Sequence, residues 1–207
     1  MTPTLVAMSV DGSDAAWAAA GFTVTEGRIA MGAVEVRLAP GPPTWTLTEV
    51  DDGALDGLPT FAAPPDRPPP PPSIDPPAAH ANTTTAIDHV VVASPDLDRT
   101  TEALGAAGIE LRRTRDAGRM EQRFFRVGEV VLELVGAPGA HGDGPASFWG
   151  LALTVEDLDA AAGALGDHLG PVTHAVQPGR RIATLRHEPL GLPLPIAFLT
   201  PRPPRRP

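Results

Sequence analysis

Two stretches in the second half of the chain repeat one order of apolar and polar positions. They are residues 87–98 (IDHVVVASPDLD) and 149–159 (WGLALTVEDLD), aligned on a shared Asp-Leu-Asp. Each stretch begins with an apolar run typical of a strand and then shows a helix start. The signals are Ser94 with Pro95 at the first helical position, and Thr154 with Asp157 three residues later. The repeat predicts two copies of one structural unit.

Both copies continue in the same way after the helix start. The second helix places Leu158, Ala162, Leu165 and Leu169 along one stripe, and Gly108 and Gly170 are positioned to end the two helices. Three apolar segments then predict strands over 109–115, 121–127 and 129–136, and over 171–177, 180–187 and 194–200. The result is an α+β fold of two βαβββ units, 86–138 and 146–202. Because one small unit buries too little surface alone, the pair is expected to close a funnel around a cavity.

The segment before the repeat reads as a degenerate, partial third copy over residues 1–60. Residues 21–24 echo 108–111, residues 31–38 echo 127–134, and Ala15–Ala20 predicts a short helix. This segment is expected to pack on the paired units or to mediate dimerisation. Prolines crowd the following residues, 61–85, which predicts a semi-rigid linker. The end of the chain, 203–207, contains only proline and arginine and is expected to be disordered.

Composition removes several classes of function. Cysteine, tyrosine and lysine are absent, which excludes disulfides, thiolate metal sites and Schiff-base lysines. The net charge of −9 argues against an electrostatic nucleic-acid binder. There is no apolar run long enough for a membrane span and no signal-peptide pattern at the start, so a cytoplasmic protein without a membrane partner is expected.

The residues 87–92 (IDHVVV) and 128–135 (GEVVLELV) resemble the first unit of glyoxalase-like proteins of the vicinal oxygen chelate superfamily. That superfamily includes glyoxalase I, extradiol dioxygenases and the bleomycin-resistance binding proteins. The resemblance extends over residues 86–202 and implies the paired βαβββ funnel. Since the superfamily mixes enzymes with pure binders, it implies no single function.

In the metal enzymes of this family the ligands come from the first and last strands of each unit. The resemblance therefore implies His89 and Glu133 as ligands of Mn, Fe, Ni or Zn, and strand alternation points both side chains toward the cavity. In the second unit the matching positions are Gly150 and Phe198, with Ala197 in place of Phe198 if the register is shifted by one. None of these side chains can bind a metal ion, and catalytic zinc sites usually have three protein ligands.

The remaining candidate residues concern a bound organic molecule. Alternation places Phe148, Gly150 and Phe198 on an apolar lining of the second half of the funnel. Arg180 and Arg181 form either a rim that holds an anionic substrate or a solvated turn after Pro178-Gly179. Glu133 is either a cavity base or ligand, or a carboxylate that faces solvent or pairs with Arg123 or Arg126.

Three functions are consistent with these residues. The first is a protein that binds a small, partly apolar organic molecule without metal catalysis. The second is a divalent-metal-dependent lyase, isomerase or dioxygenase, in which His89 and Glu133 hold the ion and Glu133 or a bound water moves a proton. The third is a dimerisation scaffold without catalysis. The expected partners are a small-molecule ligand and a second copy of the chain.

Overall fold

The structure is a computed structural model that describes residues 2–64 and 79–203. Most of the linker predicted for 61–85 therefore lies outside the described residues, as do 204–207. At the two edges of the linker, Phe61 and Ala62 end one strand and Thr84 begins another. Within the described part of the chain, no helix has the length and apolarity required to cross a membrane.

The first sheet is built from the N-terminal part of the chain. Its strands are arranged in the order β2-β3-β1-β4-β6-β5. Its elements are β1 (Leu5–Val10), α1 (Asp14–Ala19), β2 (Arg28–Met31), β3 (Val34–Leu38), β4 (Thr44–Leu47), β5 (Gly53–Leu55) and β6 (Leu58–Ala62).

Strand directions show how this sheet relates to the predicted partial unit. Strand β1 pairs in parallel with β3 and β4 pairs in parallel with β6, while β1 and β4 are antiparallel to each other. The partial unit is confirmed by β1, α1, β2 and β3. The sheet also contains a second set of three strands, β4 to β6, that has no helix. The repeat pattern does not predict this second set, because the set lacks the helix start by which the other copies are recognised.

The second sheet contains the two full units. Its strands are arranged in the order β12-β13-β14-β11-β7-β10-β9-β8. Its elements are β7 (Thr84–Ala93), α2 (Leu97–Ala106), β8 (Leu111–Asp116), β9 (Glu121–Val127), β10 (Val130–Gly136), β11 (Ser147–Val155), α3 (Leu158–Leu165), β12 (Thr173–His174), β13 (Arg181–Thr184) and β14 (Ile196–Leu199).

The order of this sheet confirms the predicted fold of two βαβββ units. Strand β7 is parallel to β10, and β11 is parallel to β14, so each unit has the same internal pairing. The first strands of the two units, β7 and β11, pair antiparallel at the centre of the sheet. The two units thus meet around an approximate twofold axis and their concave faces enclose one space.

The helix ends differ from the prediction at three positions. The N-cap residues are Asp96 and Asp157, whose carboxylates accept hydrogen bonds from backbone N–H groups of the first turn, rather than Ser94 and Thr154. The cap must directly precede the first helical residue, and in each copy that residue is the Leu of Asp-Leu-Asp. Helix α3 ends at Gly166 rather than Gly170, and a short 3₁₀ turn follows.

Both sheets contribute to a single hydrophobic core. Val90, Val92, Leu132 and Leu134 on β7 and β10 are fully buried in it, as the strand alternation predicts. Aromatic pairs connect the two sheets, with ring centroids 5.3 Å apart for Trp45 and Phe148 and 6.4 Å apart for Phe22 and Phe198. The N-terminal segment therefore packs on the paired units.

Candidate functional site

The concave side of the second sheet encloses a cavity of about 470 Å³. Its two halves differ in chemistry. The first unit contributes nearly all of the charged and amide side chains, and the second contributes mainly apolar ones. The polar half is formed by His89, Arg113, Arg115, Gln122 and Glu133; the apolar half includes Trp149, Leu151, Ile182, Pro195 and Leu199.

His89 lies on β7 and is almost completely buried at the wall of this cavity. Its Nδ1 atom is 3.4 Å from Oδ1 of the neighbouring Asp88. Burial lowers the pKa of His89 to about 4, with attraction to Asp88 opposing this shift and the charges of Arg202, Arg180 and Arg126 adding to it. The imidazole is therefore neutral near pH 7.

Glu133 lies on β10 and also faces the cavity, as alternation predicts. Its Oε1 atom accepts a hydrogen bond of 2.8 Å from the Gln122 side-chain amide. Burial raises the pKa of this carboxyl, although Arg115 and Arg113 partly offset the effect. The interpretation that Glu133 pairs with Arg123 or Arg126 is wrong: Arg123 binds Glu121 and Asp98, and Arg126 donates to the carbonyl of Glu129.

The strand register identifies the matching positions of the second unit. The Asp-Leu-Asp alignment makes Gly150 the counterpart of His89 and Ala152 the counterpart of Val91. The pairing of His89 with Ala152 and of Gly150 with Val91 agrees with it. Glu133 is opposite Val91 in the first unit, and Ala197 is opposite Ala152 in the second. The counterpart of Glu133 is therefore Ala197, the residue expected if the register is shifted by one, and not Phe198.

The structure also explains why a glycine stands at the position matching His89. A Cβ atom added to Gly150 would lie 2.9 Å from the backbone carbonyl oxygen of Pro195, closer than real Cβ contacts allow. No side chain fits there unless the backbone before β14 shifts. The second unit thus excludes a metal ligand at this position by backbone packing, in addition to lacking one.

Three residues predicted to line the apolar half do not line the cavity. Phe148 packs against Trp45, Phe198 is fully buried in the core, and Gly150 is covered by Pro195. For Phe148 the reason is a register shift in β11 between Phe148 and Gly150, whereas Phe198 lies opposite the buried Leu153, on the core side of β14. At this shift Trp149, which is 54% exposed, takes the place on the cavity wall.

The two arginines predicted for the rim are placed elsewhere as well. Arg180 is buried, forms an ion pair with Asp88, and donates 2.6 Å hydrogen bonds to the Thr200 carbonyl and to Gln177 Oε1. Arg181 forms a two-pronged ion pair of 2.8–2.9 Å with Asp159 at the start of α3. Neither side chain lines the cavity.

The arginines that do line the cavity are Arg113 and Arg115 on β8, which were not among the predicted site residues. A usable signal was present in the segment 111–116 (LRRTRD), because residues two apart on a strand share a face. The segment is predicted to be a strand, but it contains three arginines, and the sequence does not show which of them face the cavity.

The donor set of this cavity does not fit a divalent metal ion. Within the part of the chain that the structure describes, no group of three His, Asp or Glu side chains is close enough to hold one. Of the described residues that line the cavity, only His89 and Glu133 could bind such an ion. One Glu133 oxygen is hydrogen-bonded to Gln122, and two guanidinium groups share the same wall. Catalytic sites of this type usually have three protein ligands, and nearby positive charge opposes cation binding.

The two βαβββ units around one cavity define a glyoxalase-like fold. Residues 88–184 match the family model described as the Glyoxalase/Bleomycin resistance protein/Dioxygenase superfamily. The matched residues run from β7 to the end of β13, so this part of the chain is similar in sequence to the superfamily. A comparison with curated proteins finds no match to the sequence.

Solved structures of the same fold align with nearly the whole chain. A mutant of 4-hydroxymandelate synthase from Streptomyces coelicolor aligns with 98% of this chain and 94% of its own, at 16% identity and a TM-score of 0.62. The structure of 2,2′,3-trihydroxybiphenyl 1,2-dioxygenase from Sphingomonas wittichii aligns with 97% of this chain and 91% of its own, at 13% identity and a TM-score of 0.58. The Mn(II)-bound glyoxalase from Novosphingobium aromaticivorans aligns with 95% of this chain and 80% of its own, at 13% identity and a TM-score of 0.55. At these identities the similarity shows the fold alone.

Proposed function

We propose that the funnel binds a small, partly apolar organic molecule and has no resident divalent metal ion. The observation that carries this proposal is the loss of both ligand positions in the second unit, at Gly150 and Ala197. The cavity itself is retained. A member of this superfamily that has the cavity without the second half of the metal site is suited to bind rather than to transform its ligand.

The dimensions and lining of the cavity support the same proposal. Its volume of about 470 Å³ lies in the range of small-molecule sites. Trp149, Leu151 and Leu199 provide an apolar surface, and the polar groups are grouped on the opposite wall. Such an arrangement favours a molecule with an apolar body and one polar end.

The competing function is a metal-dependent lyase, isomerase or dioxygenase that uses His89 and Glu133. Both residues do line the cavity, and a buried carboxyl with a raised pKa is a feature of proton-transfer sites. Against this function stands the donor set, which has two protein ligands and two cavity arginines beside them. The two functions are separated by a direct measurement of metal.

We expect the protein to contain little metal when purified without chelator and without an affinity-nickel step. Two donors beside cationic groups bind a divalent ion too weakly to survive purification. Plasma mass spectrometry would measure Mn, Fe, Ni and Zn per chain for the native protein, His89→Ala and Glu133→Gln. Near-stoichiometric metal that disappears in both variants would overturn the proposal and support the enzyme.

We also expect the native protein to bind the neutral apolar probe N-phenyl-1-naphthylamine in this cavity. Binding beside Trp149 should quench the fluorescence of this tryptophan. The other two tryptophans, Trp17 and Trp45, are fully buried elsewhere and should contribute little to the change. Ala152→Trp would fill the cavity and should weaken binding by about tenfold or more. Ala160→Trp, at an exposed position of α3, is the matched control and should bind as the native protein does. Absence of binding to the native protein, or equal binding by Ala152→Trp, would contradict the proposal.

A further inference from the structure

Strand β8 carries two arginines that form no ion pair among the described residues, although their charge acts on the nearby Glu133. Arg113 and Arg115 lie two residues apart on this edge strand, so their side chains share the face that lines the cavity. From this placement we infer that the ligand is an organic anion, a carboxylate with an apolar body, whose charged group binds to Arg113 and Arg115. The inference rests on the proposed function and names the class of molecule that the same cavity takes.

Other arginines on β8 and β9 have partners, which makes these two distinct. Arg112 pairs with Glu110 and is not among the residues that line the cavity, and Arg123 pairs with Glu121 and Asp98. Among the residues that the structure describes, neither Arg113 nor Arg115 has an ion-pair partner within 4.0 Å. Unpaired guanidinium groups in a cleft are suited to bind a carboxylate, whose two oxygens match their paired N–H donors.

Arg113 is also held in place by an aromatic side chain. Its guanidinium carbon lies 4.6 Å from the centroid of the Phe124 ring, which lines the same cavity. This cation–π contact limits the freedom of a long side chain without using its N–H donors. The contact thus orients the guanidinium group while leaving it available to an anion, which lowers the entropy lost on binding.

Gln122 provides a second and independent indication of a polar ligand. Its amide N–H donates to Glu133, since a carboxylate only accepts, and this leaves the amide oxygen facing away. That oxygen is buried and has no hydrogen-bond partner among the described residues. A buried acceptor without a donor costs free energy, so a hydroxyl or N–H group on the ligand would satisfy it.

These features assign an orientation to the ligand. Its carboxylate lies at β8 and a hydrogen-bond donor lies near Gln122. The apolar body extends to Trp149, Leu151 and Leu199 of the second unit. The polar end is thus held by the first unit and the apolar end by the second, which explains why the two halves of the funnel diverged in composition.

The test uses two probes that share an apolar body and differ in charge. They are 8-anilinonaphthalene-1-sulfonate and neutral N-phenyl-1-naphthylamine, titrated against the native protein, Arg113→Met/Arg115→Met and Arg112→Met. We expect the double variant to weaken binding of the sulfonate by about tenfold or more, from the loss of two charge-assisted hydrogen bonds. Affinity for the neutral probe should be unchanged. Arg112→Met is the control on the same strand and should leave both affinities unchanged.

Competition then identifies the anionic group. Displacement of the bound sulfonate by 4-phenylbutyrate, but not by 4-phenylbutyramide, would support a carboxylate. Equal displacement by both would overturn the inference. It would also be overturned if the double variant bound both probes as the native protein does, or lost both equally. In these cases binding of the neutral probe would leave the proposed function standing, whereas binding of neither probe to the native protein would remove both.

Discussion

Replacing Asp88 by asparagine is expected to lower the free energy of unfolding by about 3–5 kcal/mol. Asp88 lies on β7, where only 3% of its side chain is exposed, and it forms ion pairs with Arg180 and Arg202. Burial raises the pKa of this carboxyl, but His89, Arg202 and Arg180 together outweigh burial and hold it below its usual range. Because His89 is neutral near pH 7, the two arginines are the partners that count there.

The expected loss comes from the arginine that remains. Only 1% of the Arg180 side chain is exposed, and one of its terminal nitrogens is already without a hydrogen-bond partner among the described residues. Asparagine would leave this cation buried without its counter-charge, which is more costly than losing an exposed pair. Arg180 also positions Gln177 on the cavity wall, so the variant should disturb the site as well.

Urea and thermal unfolding would measure this effect. For a chain of this size the loss corresponds to a fall in the melting temperature of roughly 10 °C. Arg181→Met is the matched control, since this neighbouring arginine pairs with the exposed Asp159 and should have little influence on the midpoint. Asp88→Leu/Arg180→Met removes both charges and should recover part of the loss. An Asp88→Asn protein as stable as Arg181→Met would show that the buried pair contributes little.

The second large effect is a loss of stability in mild acid. In the folded protein the pKa of His89 is lowered to about 4, whereas its ordinary value is 6.5. Between these values the unfolded chain binds a proton at this position and the folded chain does not, so the free energy of unfolding rises with pH. The stabilisation is complete above about pH 6.5 and is lost progressively toward pH 4, by up to about 3 kcal/mol.

The experiment must separate the effect of His89 on stability from that of Glu133, whose titration changes stability with pH in the opposite direction. The raised pKa of Glu133 means that the folded protein takes up this proton more readily than the unfolded chain, so its contribution increases as pH falls. Comparing Glu133→Gln with Glu133→Gln/His89→Gln removes that contribution from both proteins. Asp88, whose pKa is lowered, loses its stabilising effect only below its ordinary value of 3.8.

Urea midpoints of these two proteins at several pH values from 7 to 4.5 would give the result. We expect the protein that retains His89 to lose stability across this range more steeply than the protein with glutamine. Parallel curves would mean that the imidazole titrates normally and is more exposed to water than the structure has it. That outcome would also remove the argument for a neutral imidazole at the cavity wall.

Much of the fold could be predicted from the sequence because its signals are local and occur twice. The apolar alternation of β7 and β10 is enough to separate Val90 and Leu132, in the core, from His89 and Glu133, at the cavity. The Asp-Leu-Asp phrase marked both helix starts, although the cap was its first aspartate and not the serine or threonine before it. These features depend on residues close together in the chain.

The apolar side of the site could not be predicted in the same way. Alternation assumes an uninterrupted strand, and the shift between Phe148 and Gly150 exchanges the residues that face the cavity. Likewise, the position matching Glu133 depended on a register difference of one residue between Ala197 and Phe198, which only the pairing of β14 with β11 resolves.

The partners of charged residues were decided by tertiary structure alone. Of the arginines in the chain, Arg180 and Arg181 were the candidates for an anion-binding rim, because guanidinium groups match carboxylates and phosphates. They bind instead to Asp88 and Asp159, which are distant in the chain. Arg113 and Arg115 line the cavity because the sheet curls around it. The local sequence pattern thus determined the repeated unit and the residues of the first unit that face the cavity. The charge and shape of the cavity depend on contacts between distant segments, which no local pattern encodes.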